Sequence, residues 1–177
     1  EMAEIKSTLD IIMEKSKKFS VTEEEKQGFK RQELEGKIKG LVQKAVDGIL
    51  DSERFQAGVV TLQAKEKDLV DQILKEEVVG RIELGANSEA LLQMLEYVAG
   101  PALAAVRKVL VEFEKKAEKQ KESRRKALIE SFKKKGISGS AVLPNVEADP
   151  EWLRARSEVT RQLKDEIKEH LGLSLKL

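Results

Sequence analysis

Apolar residues recur along most of this chain at intervals of three and four positions, which is the period of an amphipathic α-helix. The pattern predicts six helices, separated by short breaks and by one long loop at 136–149. Glycine, proline and capping residues mark the ends of these segments. The predicted helices cover residues 3–17, 22–50, 53–79, 88–99, 101–135 and 150–171.

The helix predicted over 22–50 begins at a capping box, because Thr22 is followed three positions later by Glu25. Four of its residues are Gly28, Gly36, Gly40 and Gly48. Each glycine costs up to about 1 kcal/mol relative to alanine. We therefore expect close packing or a bend at these glycines. In the next helix, the composition of 58–62 leaves a short strand as an alternative.

The pattern predicts an all-α fold: a single domain over residues 1–177, built as an elongated bundle of long antiparallel helices that is partly coiled-coil-like. The apolar faces of 38–50 and 101–113 are expected to pair in its core. At about 1.5 Å per residue, a helix over 101–135 would be roughly 50 Å long. A compact chain of this length is only about 40 Å across, so part of that helix is expected to project.

Composition narrows the classes of function. Charged residues make up 37% of the chain, against roughly 25% in an average soluble domain, so much of the surface is expected to be solvated helix. The chain has no cysteine, which excludes disulfides, thiolate zinc sites and thiol catalysis. No apolar window is long enough for a membrane span, and the first ten residues lack the features of a secretion signal. These observations predict a cytoplasmic protein.

Few residues have the spacing that catalysis or cofactor binding requires. The di-iron signature needs a Glu three positions before a His, but the single histidine, His170, follows Ile167 at that distance. The Gly-Ile-Ser-Gly-Ser segment at 136–140 lacks the Gly-Lys-Ser/Thr ending of a phosphate-binding loop. The sequence therefore predicts a protein that is not an enzyme and has no catalytic residue, cofactor or metal.

A dense basic run is the first candidate contact surface. Ten basic positions are offset by only three glutamates, which gives a local net charge of +7. Such a run can contact phosphates or form a solvated face with pairs such as Glu112 with Lys116 and Glu122 with Lys126. No aromatic residue lies between Phe113 and Phe132, so stacking on bases is not expected. The ten residues are Lys115, Lys116, Lys119, Lys121, Arg124, Arg125, Lys126, Lys133, Lys134 and Lys135.

Acidic surface on a protein is a further potential partner for this basic run. Between residues 51 and 100 the chain has ten acidic and five basic residues, so a second copy of the chain offers a complementary charge. Apolar helix faces provide a second kind of candidate contact, in which a helix docks into a groove of a partner or of another subunit. The predicted apolar interface consists of Ile5, Leu9, Ile12, Trp152, Val159 and Leu163.

Residues 135–152 resemble a known class of sequence. The segments Gly-Ile-Ser-Gly-Ser-Ala-Val-Leu-Pro-Asn at 136–145 and Ala-Asp-Pro-Glu-Trp at 148–152 are similar to those of small, charged bacterial proteins of an uncharacterised family. This resemblance implies a small helical protein and brings no activity or site residues. Peripheral stalk subunits of rotary ATPases are similar in size and charge, but residues 151–177 do not resemble their mixed α/β part.

Together these features favour a non-enzymatic helical scaffold or adaptor that acts through protein–protein contact and associates with itself as a homo-oligomer. The alternative is an RNA-binding or ribosome-associated protein that uses the basic helix 115–135. The two hypotheses differ in salt dependence, because binding through phosphate contacts weakens steeply as salt rises.

Overall fold

The computed structural model describes residues 22–85, 88–139 and 142–173, which form an all-α helical bundle. The predicted fold class is confirmed at this level, whereas the predicted helix 3–17 lies outside the described residues. The segment 58–62 is helical, so the alternative of a strand there is wrong. The helices are α1 (Glu23–Val46), α2 (Ser52–Arg81), α3 (Ser88–Ala99), α4 (Ala102–Lys134) and α5 (Pro150–His170), with a 3-10 turn at Val146–Ala148.

Helix α1 begins at the predicted capping box. The backbone N–H of Glu25 donates to Thr22 Oγ1 at 3.2 Å, and the Glu25 carboxylate accepts from the Thr22 backbone N–H at 2.8 Å. The helix ends at Val46, four residues earlier than predicted. Gly48 leaves the helical region with a φ of 71°, a conformation that glycine adopts without strain. Asp51 then caps α2.

Helix α2 has a sharp kink that the periodicity did not predict. Glu66 has φ −151° and ψ 67°, so the helical backbone is interrupted there. Across the kink, the Gln63 amide donates to the Asp71 carboxylate at 2.5 Å. In a straight helix, residues eight positions apart are separated by about 12 Å along the axis, so this contact depends on the bend. Lys30 of α1 forms an ion pair with Glu66 itself.

The core lies along α2, which contacts α1, α3 and α5. Its buried side chains pack against apolar residues of these three helices. Helix α1 packs on α2 and α3, whereas α4 packs on α3 and α5. Within the described residues, α1 and α4 do not approach each other closely, so the expected pairing of the faces 38–50 and 101–113 is wrong. Fully buried core residues include Phe55, Ile38, Leu74, Leu95, Val106, Leu163 and Ile167.

Helix α5 packs along α4, and later residues of α4 meet earlier residues of α5. Lys116 contacts Gln162, whereas Arg124 contacts Asp149 at the start of α5. Residues 125–134 therefore extend past the start of α5, over about 15 Å. The antiparallel and coiled-coil-like details of the predicted bundle stay predictions. None of the described helices combines the length and apolar character that a membrane span requires.

Candidate interaction surfaces

The basic run on α4 does not form one continuous surface. Lys121 and Arg124 lie on the side of the helix that faces α5 and the loop before it. Lys121 Nζ forms an ion pair with Glu147 at 2.5 Å, and Arg124 Nη1 forms one with Glu151 at 2.5 Å. These two cations therefore attach the loop and the start of α5 to α4. Both side chains are partly exposed, but their charges are paired with carboxylates of the same chain rather than left free on a basic patch.

Asp149 is the centre of this attachment. It is the N-cap of α5 and accepts the backbone N–H of Trp152 at 3.2 Å. It also accepts two hydrogen bonds from the Arg124 guanidinium, of which Nη2 to Oδ1 is 3.0 Å. The carboxylate is buried. Its pKa is held below the usual value mainly by the hydrogen bond from Arg124, because that bond favours the charged form.

Glu147 connects Lys121 to the single tryptophan. Trp152 Nε1 donates to the Glu147 carboxylate at 3.1 Å. The hydrogen bond from Lys121, followed by the one from Trp152, lowers the pKa of Glu147. A cleft of about 530 Å³ beside these groups is also lined by Arg156, which donates to the Leu84 carbonyl oxygen at 3.3 Å. Lys121, Glu147, Trp152 and Arg156 thus have hydrogen-bond or ion-pair partners within the chain. Such pairing is typical of polar groups that stabilise a fold.

Lys116 is also engaged within the chain. Its Nζ donates to Gln162 Oε1 at 2.8 Å and lies 5.1 Å from the centre of the Phe113 ring. The predicted pair of Glu112 with Lys116 is therefore replaced by contacts to α5 and to an aromatic ring. The other predicted pair, Glu122 with Lys126, is replaced too, because Glu122 faces Arg125 at 3.8 Å.

The remaining lysines of α4 form a row on its outer side. Successive residues of a helix are rotated by about 100° around its axis. The lysines at positions 108, 115, 119, 126 and 133 are therefore within about 40° of one another around the axis of α4. This side is opposite the buried residues Val106, Leu110 and Ala117. All members of the row are exposed. We call it the lysine row: Lys108, Lys115, Lys119, Lys126 and Lys133.

The lysine row differs from the basic run expected from the sequence. Lys108 was missed, because the prediction followed a continuous run of basic residues rather than one helix face. The spacing from Lys108 to Lys115 to Lys119 is a signal that could have found it. Lys134 and Lys135 are exposed beyond the row, at the end of α4.

The predicted apolar interface is not an exposed surface on α5. Trp152, Val159 and Leu163 are buried, with exposures of 4%, 2% and 0%. They pack within this chain because the apolar stripe of α5 faces the core. The structure thus makes these three residues core residues. The other predicted members, Ile5, Leu9 and Ile12, lie outside the described residues.

A different apolar side chain is exposed on α1. Between Thr22 and Glu33 every residue is exposed except the partly buried Arg31. Phe29 lies in this segment and is 64% exposed. On the same side of the helix, a Cβ added at Gly36 or Gly40 would meet nothing within 4 Å. We call this side the outer α1 face, defined by Glu25, Phe29, Gly36 and Gly40.

The glycines of α1 therefore do not mark close packing. Gly28 is open like Gly36 and Gly40, with nothing within 4 Å of an added Cβ. The close approach occurs in α2 instead, where a Cβ on Gly58 would lie 2.7 Å from Leu41 Cδ1. Of the two alternatives expected at these glycines, close packing is therefore wrong for Gly28, Gly36 and Gly40 in the described structure.

Metal-binding groups do not assemble in the part of the chain that the structure describes. No three His, Asp or Glu side chains lie close enough together there to hold a metal ion. No protein-family model, curated protein or solved structure matches this chain.

Proposed function

We propose that the protein is a helical scaffold or adaptor that acts through protein–protein contact and associates with itself through the outer α1 face. One observation carries this proposal. The segment from Glu23 to Glu33 is helical, yet it buries no apolar side chain in the described chain and leaves Phe29 64% exposed.

The weak stabilisation of this helical segment by contacts within the chain supports a partner that packs against it. Helices of fewer than about 12 residues are marginal in water when nothing packs against them. Here the capping box, surface pairs such as Lys26 with Glu23 at 2.7 Å, and the ion pairs of Lys30 with Glu66 and Arg31 with Glu76 of α2 support the helix. Surface pairs contribute only a few tenths of a kcal/mol each, and an N-cap contributes about 1 kcal/mol. Full burial of a Phe side chain contributes about 1.5–3 kcal/mol, so contact at Phe29 would stabilise the segment more than those pairs do.

The charge along α1 suits a second copy of the same chain. Residues 22–35 include five acidic and three basic residues, whereas residues 36–47 include three basic and one acidic residue. Two copies of α1 that run in opposite directions would place the acidic half of each beside the basic half of the other. Such complementarity fixes the relative direction of the helices and suppresses wrong pairings.

The test measures the molar mass of the protein by light scattering after size-exclusion chromatography, over a wide range of concentration. The wild-type chain is expected to exceed the mass of a monomer at high concentration. Phe29→Glu should make it monomeric, because a charge at the centre of the contact cannot be buried without a partner. Val60→Glu is the matched control, since Val60 is an apolar residue of α2 that is 55% exposed.

Two results would count against the proposal. A wild-type chain that is monomeric at every concentration would show that the protein does not associate with itself. A Phe29→Glu variant with the mass of the wild type would show that the chain associates through another surface. Circular dichroism of each variant checks that the helices are retained.

A further inference from the structure

The lysine row of α4 has the geometry of a linear cation array. From Lys108 to Lys133 it follows an uninterrupted stretch of helix. At about 1.5 Å per residue the row is roughly 37 Å long, with its members about 6–10 Å apart along the axis. Because the row faces away from the buried side of α4, a ligand reaches all five ammonium groups without any change in the core.

Most members of the row have no partner within the described structure. Lys108, Lys115, Lys119 and Lys126 form no ion pair and no side-chain hydrogen bond there, while Lys133 pairs with Glu130 at 2.9 Å. This separates them from Lys121 and Arg124, whose charges are already neutralised by carboxylates.

The side chains along the row indicate which class of anion it fits. Lysine ammonium groups are mobile point charges, suited to phosphate oxygens rather than to reading base edges. No aromatic residue lies between Phe113 and Phe132, so the row lacks the stacking groups that single-stranded nucleic acid uses. Duplex RNA, in contrast, is recognised mostly by its shape and its backbone.

We propose that the lysine row binds the phosphate backbone of duplex RNA without regard to base sequence. Each lysine that neutralises a phosphate releases condensed counterions. The logarithm of the affinity therefore falls linearly with the logarithm of the salt concentration. This inference does not depend on the self-association proposed above, because the row and the outer α1 face lie on different helices.

The experiment uses fluorescence anisotropy with a labelled RNA duplex of about 20 base pairs, longer than the roughly 16 that a double-stranded RNA-binding domain spans. The labelled strand alone is titrated in parallel. The row variant is K115Q/K119Q/K126Q. The matched control is K39Q/K65Q/K67Q, which removes the same charge from exposed lysines that lack an ion pair in the described structure. Both are titrated at low and moderate salt, alone and in the Phe29→Glu background.

The wild type and the control variant are expected to bind the duplex at low salt. The row variant should bind the duplex more weakly by about tenfold or more. Its slope of log affinity against log salt concentration should be shallower by roughly 0.9 for each lysine removed. Absence of wild-type binding would overturn the proposal. Equal losses of affinity in the two variants would overturn it too, because they would indicate attraction of the RNA to the overall charge of the protein rather than to the row. Tighter binding of the single strand than of the duplex would overturn it as well. All substitutions are at exposed positions, and circular dichroism verifies the fold.

Discussion

Arg124 of α4 and Asp149, the N-cap of α5, form a two-point contact in which Nη2 donates to Oδ1 at 3.0 Å and Nε donates to Oδ2. The same carboxylate accepts the backbone N–H of Trp152. One side chain therefore caps α5 and binds it to α4. Bidentate pairs between arginine and a carboxylate are geometrically specific as well as strong, so this contact fixes where α5 begins along α4.

Replacement of Arg124 by Ala should destabilise the protein clearly more than replacement of the adjacent Arg125. Without Arg124 the buried Asp149 carboxylate keeps its backbone partner but loses two charge-assisted donors, and an undercompensated buried charge is costly. Arg125 is exposed and faces Glu122 at 3.8 Å, a kind of pair that contributes little. Urea unfolding followed by circular dichroism gives both free energies of unfolding.

The emission of the single tryptophan gives an independent measure of the same contact. Trp152 is 4% exposed in the fold, so its emission should be that of a buried indole. In Arg124→Ala the start of α5 loses its contacts with Arg124 and keeps only the link from Lys121 through Glu147. We therefore expect emission at longer wavelength with stronger quenching by acrylamide. Equal effects of Arg124→Ala and Arg125→Ala on stability and emission would contradict this role of Arg124.

A second prediction distinguishes core from interface on α5. Leu163 has no exposed surface, whereas Leu153 on the same helix is 48% exposed. Leu163→Ala should therefore destabilise the fold by about 2–5 kcal/mol, through lost burial and the cavity that remains. Leu153→Ala should change stability by no more than about 0.5 kcal/mol.

These values come from urea unfolding at a low protein concentration, where association contributes little. If Leu163→Ala lowered the molar mass of the protein and left the stability of the monomer unchanged, Leu163 would belong to an interface. That outcome would contradict its place in the core.

Helix starts were predictable because their signals are local. The capping box of Thr22 and Glu25 needs only residues three positions apart. The start of α5 is equally local, since Asp149 supplies the cap and Pro150 occupies the first helical position, where its missing N–H costs nothing. These capping signals can be identified from the sequence because they do not depend on tertiary contacts.

The kink at Glu66 was not predictable in the same way. Proline is the usual cause of a kink, but α2 contains none, and its glycines, Gly58 and Gly80, lie far from position 66. The groups that meet at the kink are Lys30, which is 36 positions earlier, and the pair of Gln63 and Asp71. These contacts exist only once the helices are assembled.

The division of the basic run was predictable only in part. The buried positions Val106, Leu110 and Ala117 define the inner side of α4, and from them the helical period identifies the lysine row. Arg124 follows Ala117 by seven positions and so also faces inward. That a carboxylate meets it there depends on the path of the loop between α4 and α5, which no local pattern specifies.

A third prediction concerns the open glycines of α1. Gly28→Ala should stabilise the protein by about 0.5–1 kcal/mol, because alanine loses less backbone entropy in a helix and its Cβ would meet nothing within 4 Å. Gly58→Ala should give a smaller gain or a loss, since its Cβ would lie 2.7 Å from Leu41 Cδ1. Gly48→Ala is expected to be destabilising because of the φ of 71° at that position.

Urea unfolding of the three glycine variants under identical conditions checks this order. If Gly28→Ala were as destabilising as Gly48→Ala, the space beside Gly28 would have to be filled. In that case Gly28 would be in contact with another part of this chain or with a second copy of it.

The last prediction concerns acid and the carboxylate of Glu158. Its pKa is lowered from 4.5 to about 2, first by the hydrogen bond from Arg161 and next by the one from Gln162. A lowered pKa in the folded state means that the ionised carboxylate stabilises the fold. Because the Arg161 and Glu158 side chains are 63% and 51% exposed, solvent screens the pair and the stabilisation is small. Its contribution is complete above about pH 4.5 and is lost as the pH falls towards 2. A ¹³C NMR titration of Glu158 should give a midpoint near pH 2.

Glu158→Gln should therefore be less stable than the wild type at pH 7, and this difference should shrink as the pH falls from 4.5 towards 2. In an Arg161→Ala background the cost of Glu158→Gln at pH 7 should be smaller, because the largest cause of the pKa shift is gone. Unfolding in urea at a series of pH values measures each difference. A cost of Glu158→Gln that stayed constant down to pH 2 would show that the carboxylate is not held ionised by Arg161, since only a titrating interaction can disappear over that range.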